Sequence, residues 1–244
     1  MIGLKLHDFL GVGDRIQFTH IPENIFKLTG EKVCDISNSW VFDHNPYIER
    51  NIAQEKITKI LDLWDISHNF TAENFKSHAE RFFIWYNKEF ETNFQNPPLR
   101  HPRLYIGEDK EINPNRVLVH TTGKSEVTSI SDEVIQAISK NYKNYEIIQI
   151  GGVNDKKTPF NKKLGLSYLE TAELIATSAT FIGINSGMMN IANCYPRINK
   201  RILIPRDLEA FLPMSKHSSW FDHGSTFFNY TKNDLGATFS YLKI

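Results

Sequence analysis

Leu169–Ala192 reads LETAELIATSATFIGINSGMMNIA, a stretch punctuated as helix, strand, turn and helix. From Tyr168 to Ser178 the apolar residues Leu169, Ala172, Leu174, Ile175 and Ala176 recur at helical spacing, so the segment is predicted as a helix. Ala179–Ile184 is then a short apolar run of strand length. Asn185-Ser186-Gly187 makes a turn, and a second helix is predicted from Met188 to Cys194. Upstream, Arg116–His120 (RVLVH) and Tyr145–Ile150 (YEIIQI) have the composition of buried strands. Between them Ser131 with Glu133 opens a helix reaching about Lys140. Arg201–Pro205 is the last strand. Strands alternating with helices predict an α/β domain whose parallel sheet is covered on both faces.

The first hundred residues carry weaker punctuation of the same kind. Ile2–Leu6 reads as a strand followed by the loop Gly11-Val12-Gly13-Asp14, and a helical pattern then runs towards Leu28, broken near Pro22 and ended by Gly30. Lys32–Ile36 is a second strand, while Ile57–Leu63 fits strand or helix. Phe75, Ala79, Phe82, Phe83 and Tyr86 form a helical aromatic stripe expected to pack a core. Three prolines between Asn96 and Pro102 oppose helix and sheet alike. The domain linker is placed there, giving an abbreviated N-terminal domain over 1–100 and a C-terminal one over 101–244.

The 28 Lys plus Arg exactly balance 28 Asp plus Glu, which argues against a general nucleic-acid coat, since such affinity comes from excess positive charge. Cys34 and Cys194 lack metal-ligand spacing and read as apolar fillers in a reducing compartment. No run approaches the roughly 20 apolar residues of a membrane span, and the N-terminus lacks the pattern of a signal peptide. The expectation is a cytoplasmic protein, with peripheral contact at the inner face of the membrane left open.

Ligands of open parallel sheets bind beyond the carboxyl ends of the strands. Those ends are Gly11–Asp14, Thr121–Ser125, Gly151–Asp155 and Asn185–Asn190. Ser186-Gly187 between strand and helix leaves first-turn N–H groups for an anion, although an N-capping serine would give the same sequence. Thr121, Thr122 and Lys124 offer two hydroxyls and an ammonium for a diphosphate, or simply a solvated turn; the P-loop spacing is absent. Asp155 is a candidate for ribose hydroxyls, or a turn aspartate. Gly11-Val12-Gly13-Asp14 lacks the third glycine of a dinucleotide fingerprint, so Asp14 either caps a helix or faces an inter-domain cleft. The pairs His7-Asp8, Asp43-His44 and Asp222-His223 are scattered. Asp62 and Asp65 lack the Asp-x-Asp spacing of a catalytic metal site, and no GxSxG elbow occurs.

Together these segments resemble the heptosyltransferases, glycosyltransferase family 9. The similarity is concentrated in Leu169–Ala192, in VLVHTTG at Val117–Gly123 and in IIQIGG at Ile147–Gly152. GVGD and Asn45-Pro46-Tyr47 add to it in the N-terminal half. The resemblance implies a GT-B architecture, two Rossmann-like domains with a cleft between them. It implies an inverting, metal-independent transfer of heptose or a related sugar from a nucleotide-diphosphate sugar to a hydroxyl acceptor, a precursor of a bacterial surface glycan such as lipopolysaccharide. It assigns Asp14 as general base, with Gly13 in the acceptor loop. Thr121, Thr122 and Lys124 hold the donor diphosphate, Ser186, Gly187, Met188, Met189 and Asn190 form the helix-start cradle, and Leu166–Leu169 pack the base. No cofactor is implied. This sequence departs from the family at Asn185, where Asp is usual, and at Asn190, where His is usual. Those departures and the short first domain support a rival, a non-catalytic nucleotide-sugar-binding protein; a purely structural partner of a larger complex would bind no nucleotide.

Overall fold

The computed structural model describes residues 1–64, 78–95, 102–123, 129–184, 186–205 and 225–230. The chain forms two compact units that divide between Tyr105 and Ile106.

Unit 1 is built on β1 (Ile2–Lys5), β2 (Val33–Asp35), β3 (Ile48–Glu49) and β4 (Lys59–Asp62), all parallel in the order β3-β2-β1-β4. Ile57–Leu63, open between strand and helix in the sequence, therefore supplies a strand. The helical pattern before Gly30 is two helices, α1 (Val12–Gln17) and α2 (Ile21–Thr29). Pro22 starts the second, where its missing N–H costs nothing, and Gly30 ends it in the left-handed conformation. In α3 (His78–Phe90) the side chains of Phe82, Phe83 and Tyr86 are buried, as the aromatic stripe predicts. Phe75 lies outside the described residues.

Unit 2 carries β5 (Asn113–His120), β6 (Glu146–Gly151), β7 (Asn161–Leu164), β8 (Ser178–Ile184), β9 (Asn199–Pro205) and β10 (Ser225–Tyr230). They form one parallel sheet in the order β10-β9-β8-β5-β6-β7. Its helices are α4 (Asp132–Asn141), α5 (Tyr168–Ala176) and α6 (Gly187–Asn193). Ser131 caps α4, and Ser167 with Glu170 forms a capping box at the start of α5. Val117 and Val119 of β5 pack with Ile182 and Ile184 of β8 and with Val134, Ile135 and Ile138 of α4. Burying each such side chain stabilises by about 1.5–3 kcal/mol. β3, β7 and β10 were not legible as strands: β3 is two residues long, and β7 (NKKL) is a polar edge strand.

The proline-rich segment 96–101 lies outside the described residues. The residues after it belong to unit 1: Arg103 N–H donates to Thr19 Oγ1 (2.9 Å) and Tyr105 donates to the buried Glu23 (2.6 Å). Ile106 and Gly107 belong to unit 2, where their carbonyls accept from Tyr195 (3.0 Å) and Arg197 (2.7 Å).

Candidate donor site

Sheet 2 runs outward from β5 through β6 to β7, then restarts at β8 on the other side of β5. The β5/β8 pair is thus the point where strand order reverses, and beyond such a point the diverging loops leave a crevice. His120 ends β5, and Ser186 follows β8 directly ahead of α6. Ser186 Oγ lies 3.1 Å from His120 Nδ1 and accepts from the Met189 N–H at 3.4 Å. His120 Nε2 faces Asp155 Oδ2 at 3.8 Å, beyond hydrogen-bond length. With a carboxylate facing Nε2, the ring proton belongs there, and Nδ1 accepts from the Ser186 hydroxyl.

Burial pushes the His120 pKa down to about 4, so the ring is neutral near pH 7. Burial likewise raises the Asp155 carboxyl, against a lowering contribution from the Gly152 backbone. Two glycines make the room. At Gly183 of β8 an added Cβ would meet the Phe181 ring at 2.7 Å and His120 Cβ at 3.3 Å. Gly151 has a φ of 142°, and a side chain there would collide with the Asp155 carboxylate.

Beneath this lies a second polar layer. Gln149, fully buried in β6, donates from Nε2 to the Lys156 carbonyl (2.6 Å) and to Thr121 Oγ1 (3.2 Å). Its Oε1 accepts from the Thr158 N–H (3.0 Å) and hydroxyl (2.8 Å). Thr122 Oγ1 accepts from the Lys156 N–H at 3.1 Å. The loop after β6 is therefore tied to the end of β5.

The structure brings together Thr121, Thr122, Asp155 and Ser186 to Asn190 at the carboxyl ends of β5, β6 and β8. Thr121 is buried and engaged with Gln149, whereas Thr122 is half-buried. Gly187 and Met188 open α6, and their N–H groups precede the first intrahelical bonds. Met189 and Asn190 are buried, and Asn190 Nδ2 donates to the Ser186 carbonyl (3.3 Å). Tyr168 and Leu169 are exposed at the start of α5. Lys124 and Asn185 lie outside the described residues. Gly13 and Asp14 belong to unit 1, within the first turn of α1. The N-cap of that helix is Gly11, so the capping role considered for Asp14 is corrected: its exposed carboxylate lies three residues into the helix.

His120, Gln149, Lys156 and Thr158 were missed. The available signal was a polar residue inside or ending an apolar parallel strand, as in RVLVH and YEIIQI. Two of the scattered acid-histidine pairs resolve differently from their sequence adjacency, and Asp222-His223 lies outside the described residues. His7 pairs with Asp62 (2.9 Å) while Asp8 faces Arg15, and Asp43 pairs with Arg50 rather than His44. Among the described residues no three His, Cys, Asp or Glu side chains are grouped to hold a metal, and no helix is long and apolar enough to cross a membrane.

No family profile and no curated protein sequence matches the chain. Solved structures do. A family 9 glycosyltransferase from Veillonella parvula superposes with a TM-score of 0.58 at 13% identity, covering 83% of this chain and 80% of its own. The E. coli heptosyltransferase WaaC, solved with ADP, gives 0.58 at 10% identity over 84% and 87%. The iron-containing dodecameric glycosyltransferase TibC of enterotoxigenic E. coli gives 0.57 at 14% identity; the match covers 84% of this chain but 59% of TibC. The fold is that of the GT-B glycosyltransferases, two Rossmann-like parallel sheets, with the first sheet reduced to four strands among the described residues.

Proposed function

We propose that the chain is an inverting glycosyltransferase that moves heptose or a related sugar from a nucleotide-diphosphate sugar to a hydroxyl acceptor, as in the assembly of bacterial surface glycans. The observation that carries this reading is the hydrogen-bonded His120–Ser186 pair at the strand-order reversal of unit 2. It ties the start of α6 to the end of β5, two residues before Thr122, so that backbone N–H groups and a hydroxyl are available to a diphosphate at these strand ends. On this reading Lys124 supplies the cation, and Asn185 and Asp155 are assigned to the donor sugar and the ribose. Asp14 takes the proton of the acceptor hydroxyl as its oxygen attacks the anomeric carbon. The bond to the donor phosphate breaks on the opposite face, and the nucleoside diphosphate leaves with the electron pair. Donors at the α6 start stabilise the charge that develops on it.

The reaction needs no metal on this reading, and the test addresses that directly because one similar structure contains iron. Nucleoside diphosphates at about 100 times Kd should stabilise the protein by roughly 2.7 kcal/mol, equally with and without EDTA. A shift that appears only with added metal would overturn metal independence. Transfer from a panel of nucleotide-sugars then separates the enzyme from a non-catalytic binding protein: binding without transfer or donor hydrolysis would favour the latter.

A further inference from the structure

Sheet 1 has a reversal of its own. β2 and β3 extend from one side of β1 and β4 lies on the other, so the crevice of unit 1 falls beyond β1 and β4. The function proposed above uses only Asp14 from this unit, yet the residues at the reversal are His7, Phe9, Asp62 and Trp64.

Asp62 ends β4, and His7 lies two residues past β1. His7 Nε2 is 2.9 and 3.0 Å from the two Asp62 oxygens, and Lys5 Nζ is 3.0 Å from Oδ2. Burial would raise the Asp62 carboxyl, but the hydrogen bonds from Lys5 and His7 outweigh it and the pKa is lowered. A neutral imidazole held at Nε2 by a carboxylate carries its proton there and its lone pair at Nδ1. His7 makes no other side-chain hydrogen bond among the described residues, so Nδ1 is a fixed acceptor for an O–H group.

Beside it, Phe9 is 66% exposed. Its ring centroid is 4.9 Å from that of His7 and 4.8 Å from that of Trp64, which it meets edge-on at 86°. Single exposed apolar side chains are common on protein surfaces. This one is braced by two rings, next to a tautomer-fixed histidine, at the reversal of a parallel sheet. A pyranose ring is complementary to such a pair, with a C–H face for the aromatic ring and a hydroxyl edge for the imidazole. The charges of Lys5 and Asp62 cancel, which suits a neutral sugar better than an acidic one.

We propose that His7, Asp62, Phe9 and Trp64 form a subsite for a neutral pyranose of the acceptor; that this sugar is the acceptor rests on the glycosyl-transfer reading above. Phe9 takes the apolar face of the ring, His7 Nδ1 accepts from one hydroxyl, and Asp62 fixes the His7 tautomer. The test is saturation-transfer-difference NMR on the full chain with methyl mannopyranoside, methyl glucopyranoside, methyl galactopyranoside and methyl glucuronide, with ADP binding measured on the same samples. At least one neutral glycoside should receive saturation at its ring C–H protons. Phe9→Ala and His7→Asn should each weaken that binding about tenfold or more. The subsite is overturned if no neutral glycoside responds, if the glucuronide is preferred, or if both variants match the wild type. ADP affinity should be the same in all variants. Loss of ADP binding by the wild type with the sugar pattern intact would sink the transferase reading and leave the sugar subsite standing.

Discussion

Each sheet places a histidine where its strand order reverses, and the two histidines are built for different work. His7 in unit 1 is 23% exposed and its Nε2 is 2.9 Å from the Asp62 carboxylate. His120 in unit 2 is 6% exposed, sits 3.8 Å from Asp155 and hydrogen-bonds Ser186 through Nδ1. A solvated ring gripped by a carboxylate presents its second nitrogen to a ligand. A desolvated ring without a close counter-charge stays neutral and acts as a brace, because burial disfavours its charged form. The same residue type at equivalent topological points thus yields a recognition group in one unit and a scaffold for the α6 loop in the other. The proposed division of labour follows: unit 1 handles the acceptor and its proton, and unit 2 grips the donor.

The largest effect expected from this division is on chemistry. Asp14→Asn removes basicity while keeping shape, and a general base contributes about 10²- to 10⁴-fold in rate. Transfer should fall by that factor while nucleotide affinity stays within about threefold, or under 1 kcal/mol. Because Gly11 rather than Asp14 caps α1, stability should hardly change. Retained turnover in the variant would remove Asp14 from the mechanism.

The next effect separates the two histidines by pH. The folded-state pKa of His120 is about 4 against an ordinary 6.5, so between these values the unfolded chain binds the extra proton. Its contribution is therefore fully present above about pH 6.5 and is lost as pH falls towards 4, by about 3 kcal/mol in all. Asp155, whose carboxyl is raised by burial, works in the opposite sense at the acidic end and trims the loss. Urea denaturation at pH 7.5 and 4.5 should show the drop in the wild type, and His120→Gln should remove most of it. An unchanged acid sensitivity in His120→Gln would mean that His120 is not the neutral brace.

A third effect concerns what supports the brace. Gln149→Leu would strip partners from the Lys156 carbonyl, both Thr158 donors and Thr121 Oγ1, all tied to one buried amide. A loss of about 2 kcal/mol in stability is expected from buried polar groups left unpaired. Nucleotide affinity should fall with it, since the loop after β6 is then untied from β5. Full affinity in the variant would detach this layer from the donor site.

How much of this was legible follows from range. The strands of unit 2 and the α5–β8–α6 succession are written in local periodicity, so RVLVH, YEIIQI and Leu169–Ala192 disclose both their elements and the strand ends where the candidate donor site lies. Ser186 and Thr122 could be placed at strand ends because the residues before them read as strands. The His7–Asp62 pair could not, since Asp62 is 55 residues away and becomes a neighbour only through the β1–β4 register of Lys5 with Asp62. Ile57–Leu63 was ambiguous for the same reason: a four-residue strand declares itself by pairing, not by pattern. The His120–Ser186 contact is likewise a product of β5 and β8 lying side by side.

The smallest effect tests whether the two hydroxyls that the family resemblance treats alike share one role. Thr121 is fully buried, accepts from Gln149 at 3.2 Å and lies 3.3 Å from the Lys156 carbonyl. Thr122 is half-buried, and among the described residues its oxygen accepts from the Lys156 N–H, at 3.1 Å, and lies 3.3 Å from that of Thr121. Its hydroxyl proton therefore has a choice between its neighbour and an incoming phosphate oxygen, whereas that of Thr121 already points into the protein. Thr121→Val should cost about 1 kcal/mol of stability, one net hydrogen bond, and should leave nucleoside diphosphate affinity nearly unchanged. Thr122→Val should cost little stability and weaken the nucleotide about 5- to 10-fold, the worth of one hydrogen bond to a charged acceptor. Calorimetric titration and denaturation of both variants give the four numbers needed. Equal affinity losses would show that both hydroxyls reach the phosphates, and the buried layer would then have to open on binding.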